Sequence, residues 1–160
     1  HKTHLKSHPL EDTSLLLDTN LDSDYLAAYS IYLKEKVMIG YATIGVKDME
    51  KAKQFYCDLF AEQGAKVQLD AGRIAMIGAS NSQPMVAVCE PYDGNTPHHG
   101  NGNMVAFPAE SKEAAAAMHA KALSLGATDE GEPGQRVDDV FYGSYVRDPD
   151  GNKLCFYVFG

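Results

Sequence analysis

No stretch of this 160-residue chain approaches the ~20 consecutive apolar residues that a membrane-spanning helix needs, so no membrane partner is expected. Basic side chains are also scarce: 14 Lys and Arg stand against 22 Asp and Glu, a formal charge of -8 at pH 7. A polyanion would meet net repulsion, which excludes nucleic acid as the expected partner and favours a neutral or cationic small molecule. Cysteine is sparse too. Cys57, Cys89 and Cys155 form neither a CxxC pair nor an even disulfide set, which points to a reducing, cytoplasmic setting. The opening residues lack the long apolar core of a secretory signal, so export is not expected.

What is present divides the chain in two. Residues 1–20 are polar, and His1, His4 and His8 are read there as solvated, not as a metal site. From Asp22 or Ser23, both good N-caps, to about Lys36, the stripe Tyr25, Leu26, Tyr29, Tyr32 and Leu33 has helical spacing. Its apolar face needs a partner, the main domain or a second subunit. The mixed polar side argues against a membrane surface. Met38 opens a run that begins a compact domain. The expected organisation is therefore an extension over 1–37 with one amphipathic helix, then one domain over 38–160.

The compact part repeats itself. Tyr41-Ala-Thr-Ile-Gly-Val-Lys-Asp48 reads as a strand ending in an N-cap, followed by the helical stripe Met49, Ala52, Tyr56, Leu59, Phe60 and a stop at Gly64. Met104-Val-Ala-Phe-Pro-Ala-Glu-Ser111 has the same form, with an alanine-rich helix through Met118 and Leu123 and a stop at Gly126. Strand-like segments follow each helix: 65–68, 73–77 and 85–90 in the first half, 140–147 and 153–159 in the second. Between Gly126 and Asp139 the sequence is rich in Gly, Pro and acid, so the second half's first return strand is weakly marked. Two modules, 38–96 and 103–160, each strand, helix and about three strands, result. The linker from Pro91 to Asn103 is turn chemistry throughout.

Each module can bury one sheet face under its own helix, leaving the opposite faces to curl around a cavity. Strand alternation puts Ala42 and Ile44, and Val105 and Phe107, toward the helices; Tyr41, Thr43, Met104 and Ala106 then face the cavity. In the closing strand, entered through the turn Asp148-Pro-Asp-Gly151, Cys155 and Tyr157 share one face and Leu154, Phe156 and Val158 the other. Tyr142 and Tyr145 add aromatic candidates for the cavity wall. Arg73 and Arg147 suit anion recognition if they point inward, which parity leaves open. His98 and His99, in a Gly-rich loop, are read as solvated. His119 matches Tyr56 under the repeat and is read as structural. Cys155 among apolar neighbours is read as inert core.

Three stretches together, Ile44-Gly-Val-Lys-Asp48-Met49 leading into Phe55-Tyr56, then Met104-Val-Ala-Phe107, then Val146-Arg-Asp-Pro-Asp-Gly-Asn-Lys-Leu154, resemble the vicinal oxygen chelate superfamily. That group contains glyoxalase I, bleomycin- and fosfomycin-resistance proteins and extradiol dioxygenases. The resemblance spans about residues 38 to 160 and implies an α+β fold of two βαβββ modules, with curved mixed sheets around a cavity. In the family's enzymes it also implies a metal held by the first and last strand of each module. Carried over, those positions are Tyr41, Ala87, Met104 and Cys155, none of them His or Glu. No cofactor is therefore expected.

The expected function is a small-molecule binder lined by Tyr41, Thr43, Arg73, Ala87, Met104, Ala106, Tyr142, Cys155 and Tyr157, with binding alone as the mechanism, as the resemblance to bleomycin-resistance proteins implies. A homodimer is expected, since a paired cavity can be built within one chain or across two. The main alternative is a glyoxalase-like lyase or isomerase whose divalent metal is held by Glu90, Cys155 and the linker histidines. A second alternative is a structural or interaction protein with a filled barrel.

Overall fold

The structure, a computed structural model, describes residues 38–160. The tail histidines and the expected helix over 22–36 lie outside the described residues. Both expected N-caps form. The Asp48 carboxylate accepts the Lys51 amide at 3.1 Å and starts α1 (Met49–Leu59); the Ser111 hydroxyl accepts the Ala114 amide at 3.1 Å and starts α2 (Lys112–Ser124). Each satisfies an amide left orphaned at a helix start, typically worth ~1 kcal/mol. Gly64 and Gly126 end these segments with left-handed φ of 75° and 99°, where a side chain would be strained.

Two four-stranded sheets result, without a closed barrel. The first contains β1 (Tyr41–Gly45), β2 (Lys66–Asp70), β3 (Ile74–Gly78) and β4 (Met85–Cys89), ordered β1-β4-β3-β2. The second contains β5 (Val105–Pro108), β6 (Thr128–Val137), β7 (Phe141–Arg147) and β8 (Lys153–Phe159), ordered β5-β8-β7-β6. In both, the strand before the helix runs parallel to the module's last strand and the other pairs are antiparallel. Both modules are thus βαβββ. Among the described residues no helix is long and apolar enough to cross a membrane.

β6 is the element the sequence marks least. It is ten residues long, and its register against β7 slips between Asp129 and Gly131, Gly131 and Gly134, and Gln135 and Val137. Such irregularities destroy the two-residue alternation by which a strand is recognised. Its place at the sheet edge tolerates Pro133, which has no amide to offer a ladder.

The helix-facing sides hold the core, as alternation predicts. Ile44, Ala75, Ile77, Val86 and Val88 are buried with Ala52, Phe55, Tyr56 and Leu59 of α1; Val146, Leu154 and Phe156 are buried with Ala115, Met118 and Ala122 of α2. These form one continuous cluster. Phe60, just past α1, bridges the modules, its ring centroid 4.5 Å from Phe107 and 6.5 Å from Phe156.

A second bridge is polar. The buried Tyr56 hydroxyl donates to Asp148 Oδ2 at 2.6 Å, joining α1 of one module to the β7–β8 turn of the other. The other Asp148 oxygen accepts the amides of Asp150 and Asn152 at 2.9 and 2.8 Å, which closes the turn. Asn152 Nδ2 reaches across to the Gly45 carbonyl at 3.0 Å, and Asp150 Oδ1 accepts the Lys47 amide at 3.1 Å. A buried carboxylate must be supplied with donors, and here two modules supply them jointly.

Removing the hydroxyl in Tyr56→Phe is expected to lower the free energy of unfolding in urea by about 1.5–3 kcal/mol, the worth of a hydrogen bond to a charged group. A change within experimental error would show that the bridge does not hold the modules. The same pair sets a pH dependence. Burial first, then the Asp148 charge, holds the Tyr56 phenol well above the ordinary value of 10.0. The unfolded chain therefore loses this proton first, so the contribution is complete below about pH 10 and fades as pH rises further. Stability of the parent protein is expected to fall more steeply above about pH 10 than that of Tyr56→Phe; parallel pH profiles would contradict this.

Candidate functional site

One side of each sheet is buried under its helix; on the other, open side the edge residues Thr43, Leu69 and Ala106 are exposed, while Ala87 and Cys155 at the sheet centres are themselves buried. On the second sheet, the register places Tyr145 opposite Cys155 and Cys155 opposite Ala106, with Gly143 and Tyr157 in the next row, Phe141 and Phe159 beyond them, and Arg147 opposite Lys153 at the other end. The face is therefore aromatic at one end and cationic at the other. Two glycines let the rings lie flat on it. A Cβ on Gly143 would come within 2.7 Å of the Phe141 ring, and one on Gly131 within 2.8 Å of the Tyr145 ring. Phe141 stacks on Tyr157, with centroids 5.5 Å apart and planes 12° from parallel.

At the cationic end the linker folds over the sheet and forms an open cleft of about 640 Å3, lined by His98 to Asn103, Met104, Arg147 and Lys153. The wall is the back of the Asp148 turn. Arg147 Nη1 donates to the Gly151 carbonyl at 3.0 Å, and His99 lies so close to Gly151 that a Cβ there would be 3.0 Å from His99 Nδ1. Gly151 also has φ of 89°, so it is required by both conformation and contact. Glu130 of β6 reaches Arg147 Nε at 2.7 Å and Lys153 Nζ at 3.4 Å. The Arg147 guanidinium, with Lys153 beside it, holds the Glu130 carboxyl below the usual range. Over the Tyr145 ring lie Lys153 Nζ at 5.2 Å and the Arg136 guanidinium at 5.3 Å.

The open face of the first sheet is different. Across it run Leu69, Met76, Ala87 and Thr43 in register, with Met85 opposite Tyr41 in the row at the start of β1. Tyr41 is 50% exposed and Leu69 51%, unusual for large apolar groups in strands.

The residues expected to line one cavity are thus divided. Met104, Ala106, Cys155 and Tyr157 share the second sheet's open face, and Met104 borders the cleft. Tyr41, Thr43 and Ala87 lie on the first sheet's open face. Arg73 is on neither. It precedes β3, donates to the Glu90 carbonyl at 2.9 Å and stacks on Tyr92. Tyr142 packs against the core on the helix side, with Lys112 over its ring. Alternation carries this signal: Tyr142 and Tyr145 are an odd number of residues apart and cannot share a face, whereas Tyr145 and Arg147 can. Lys153, Phe141, Arg136 and the linker asparagines were not marked by the sequence, because what gathers them is the linker's path and the irregular edge strand. His119 is structural in form, buried on α2 with Nε2 2.9 Å from Asp129 Oδ1.

The four positions at which the resemblance implies metal ligands carry a phenol, a methyl group, a thioether and a thiol. Burial pushes the Cys155 thiol up, so it stays protonated near neutral pH, although Arg136 and Lys153 pull the other way. This donor set does not fit a hard divalent ion, which needs several oxygen or nitrogen ligands. Among the described residues no three His, Cys, Asp or Glu side chains converge where they could hold an ion, so Glu90, Cys155 and the linker histidines do not form a joint site. Glu90 instead follows β4 at the surface, its amide bonded to the Arg73 carbonyl.

Comparison with solved structures places this architecture. A glyoxalase/bleomycin resistance protein from Albidiferax ferrireducens is similar at 31% identity and a TM-score of 0.67, covering 76% of this chain and 98% of its own. A hypothetical protein of S. aureus shares 23% identity with a TM-score of 0.60, over 80% of this chain and 98% of its own. A glyoxalase/bleomycin resistance protein/dioxygenase family enzyme from Burkholderia phytofirmans shares 16%, with a TM-score of 0.61 over 74% and 95%. The last two likenesses bear on the fold alone. Comparison with curated proteins gave no match. Residues 38–156 match the family described as the Glyoxalase/Bleomycin resistance protein/Dioxygenase superfamily. The two βαβββ modules, their open faces and this match are of one kind: the chain belongs to the glyoxalase/bleomycin resistance protein/dioxygenase superfamily.

Proposed function

We propose that this chain is a small-molecule-binding protein that holds its ligand on the open face of the second sheet by stacking and hydrogen bonding, without the metal used by the superfamily's enzymes. The observation that carries the reading is the donor chemistry of the sheet centres, where Ala87 faces Thr43 and Cys155 faces Ala106. Beside that row, flat aromatic rings and a cleft of about 640 Å3 offer contact area and room for a metabolite-sized molecule. The described strands close no barrel, so a filled barrel does not account for these faces. The net charge of -8 favours a neutral or cationic ligand at long range, whereas the side chains at the cleft itself are basic.

The protein acts as a homodimer in which a second copy covers the open faces, the exposed Tyr41 and Leu69 supplying apolar contact. Three free thiols support a reducing, cytoplasmic setting. Sedimentation equilibrium is expected to give a dimer for the parent chain and a monomer for Leu69→Glu; a monomeric parent would remove the assembly from the proposal. Metal analysis of untagged protein after dialysis is expected to find far less than one Zn, Ni, Mn or Fe per chain. One ion per chain, lost in Cys155→Ala, would favour the metal-dependent lyase or isomerase instead. A thermal-shift screen over small molecules is expected to return a ligand; at 100 times its Kd the stabilisation is about 2.7 kcal/mol.

A further inference from the structure

The cleft gathers cations on a chain that is otherwise acidic. Arg147 and Lys153 line the cleft, Lys153 and the exposed Arg136 lie over the neighbouring Tyr145 ring, and the carboxylate that answers Arg147 and Lys153 is Glu130 alone among the described residues. Arg147 uses Nε on Glu130 and Nη1 on the Gly151 carbonyl, which fixes its plane. Its remaining amino group has no acceptor among the described residues. Lys153, held by Glu130 at the longer distance of 3.4 Å, also keeps donors to spare. Asn101, Asn103, His98 and His99 line the same space with further polar groups.

Arg147 and Lys153 are half-buried, so pairing them with an anion matters more than it would for free surface charges, and the single carboxylate of Glu130 answers only part of their charge. The arrangement is also pre-set. A guanidinium already fixed by two bonds loses little freedom on gripping an oxyanion. In the next row along the open face from Tyr145 lies Tyr157, and the ring of Phe141 from the row beyond leans back over Gly143 to stack on it, a pair that would take a flat apolar body.

We infer that the cleft selects a small organic oxyanion, a carboxylate or phosphate monoester on an aromatic or unsaturated body, with the oxyanion on Arg147 and Lys153 and the body along Tyr145 and the Phe141–Tyr157 stack. This rests on the reading of the cleft as a ligand site and reverses the preference drawn from net charge. At contact range the nearest charges outweigh a distributed net charge that salt screens within ~10 Å. Glu130 has the role of a placeholder that the ligand's oxyanion competes with or displaces.

The test is a set of size-matched probes on the full chain, benzoate, phenyl phosphate, benzylamine and benzyl alcohol, titrated by calorimetry with NMR mapping of the amides of Met104, Tyr145 and Lys153. At least one of the two anions is expected to bind about tenfold or more tightly than benzylamine, and to weaken as salt is raised. Arg147→Gln with Lys153→Gln is expected to lose about tenfold or more of that affinity. Glu130→Gln, which frees both cations and leaves them in place, is expected to gain about threefold and decides the matter if the double variant fails to fold. Benzylamine binding as well as both anions, or an anion affinity unmoved by Glu130→Gln, overturns the inference. Binding of benzyl alcohol alone in the cleft overturns it while leaving the ligand site standing; no binding by any probe removes both.

Discussion

One buried carboxylate organises this protein. Asp148 lies where the second module's last two strands turn, and its lone pairs are filled by a phenol from the first module, two amides of its own turn and the Asn152 side chain. Because a carboxylate stripped of water must find donors, the turn has one conformation and the module carrying Tyr56 has one position against it. The apolar contact through Phe60 adds area to this junction. Hydrophobic contact is non-directional, and the directional part comes from Tyr56, Asn152 and Asp150.

The same turn shapes the cleft from its other side. Gly151 carries His99 on its bare Cα and gives its carbonyl to Arg147, so the linker and the cationic end of the open face are positioned by a turn whose conformation is set in the interior. Structure and site are coupled here through covalent neighbours: Arg147 is adjacent to Asp148, and Lys153 to Asn152. A binding group on such a base is held by packing and hydrogen bonds.

Much of this was legible in the sequence. Helix caps at Asp48 and Ser111, glycine stops, the repeat and strand parity at Ile44, Val105 and Phe156 depend on local chemistry, and local chemistry is what a sequence displays. β6 was not legible, because repeated register slips erase alternation and Pro133 argues against a strand anywhere but at an edge. The cleft was half legible. Arg147 was a candidate whose direction stayed open, whereas the role of Lys153 arises only from its register with Arg147 and from Glu130 on the irregular edge. The partition of the expected lining residues between two faces also lay beyond the sequence, since the repeat predicts equivalent faces without saying whether one chain brings them together. The opposed charges of the whole chain and of its cleft show why composition is a poor guide to a ligand: a sum over surface says little about the few groups a ligand touches.

The Asp148 turn is held by the interior and shares the fate of the whole fold. Native-state hydrogen exchange measures this directly, residue by residue. The amides of Lys47, Asp150 and Asn152, which donate to Asp150 and Asp148, are predicted to exchange only through global unfolding, with the same protection as β8 core amides such as Phe156. Exchange of these three through local opening, while β8 stays protected, would contradict the account.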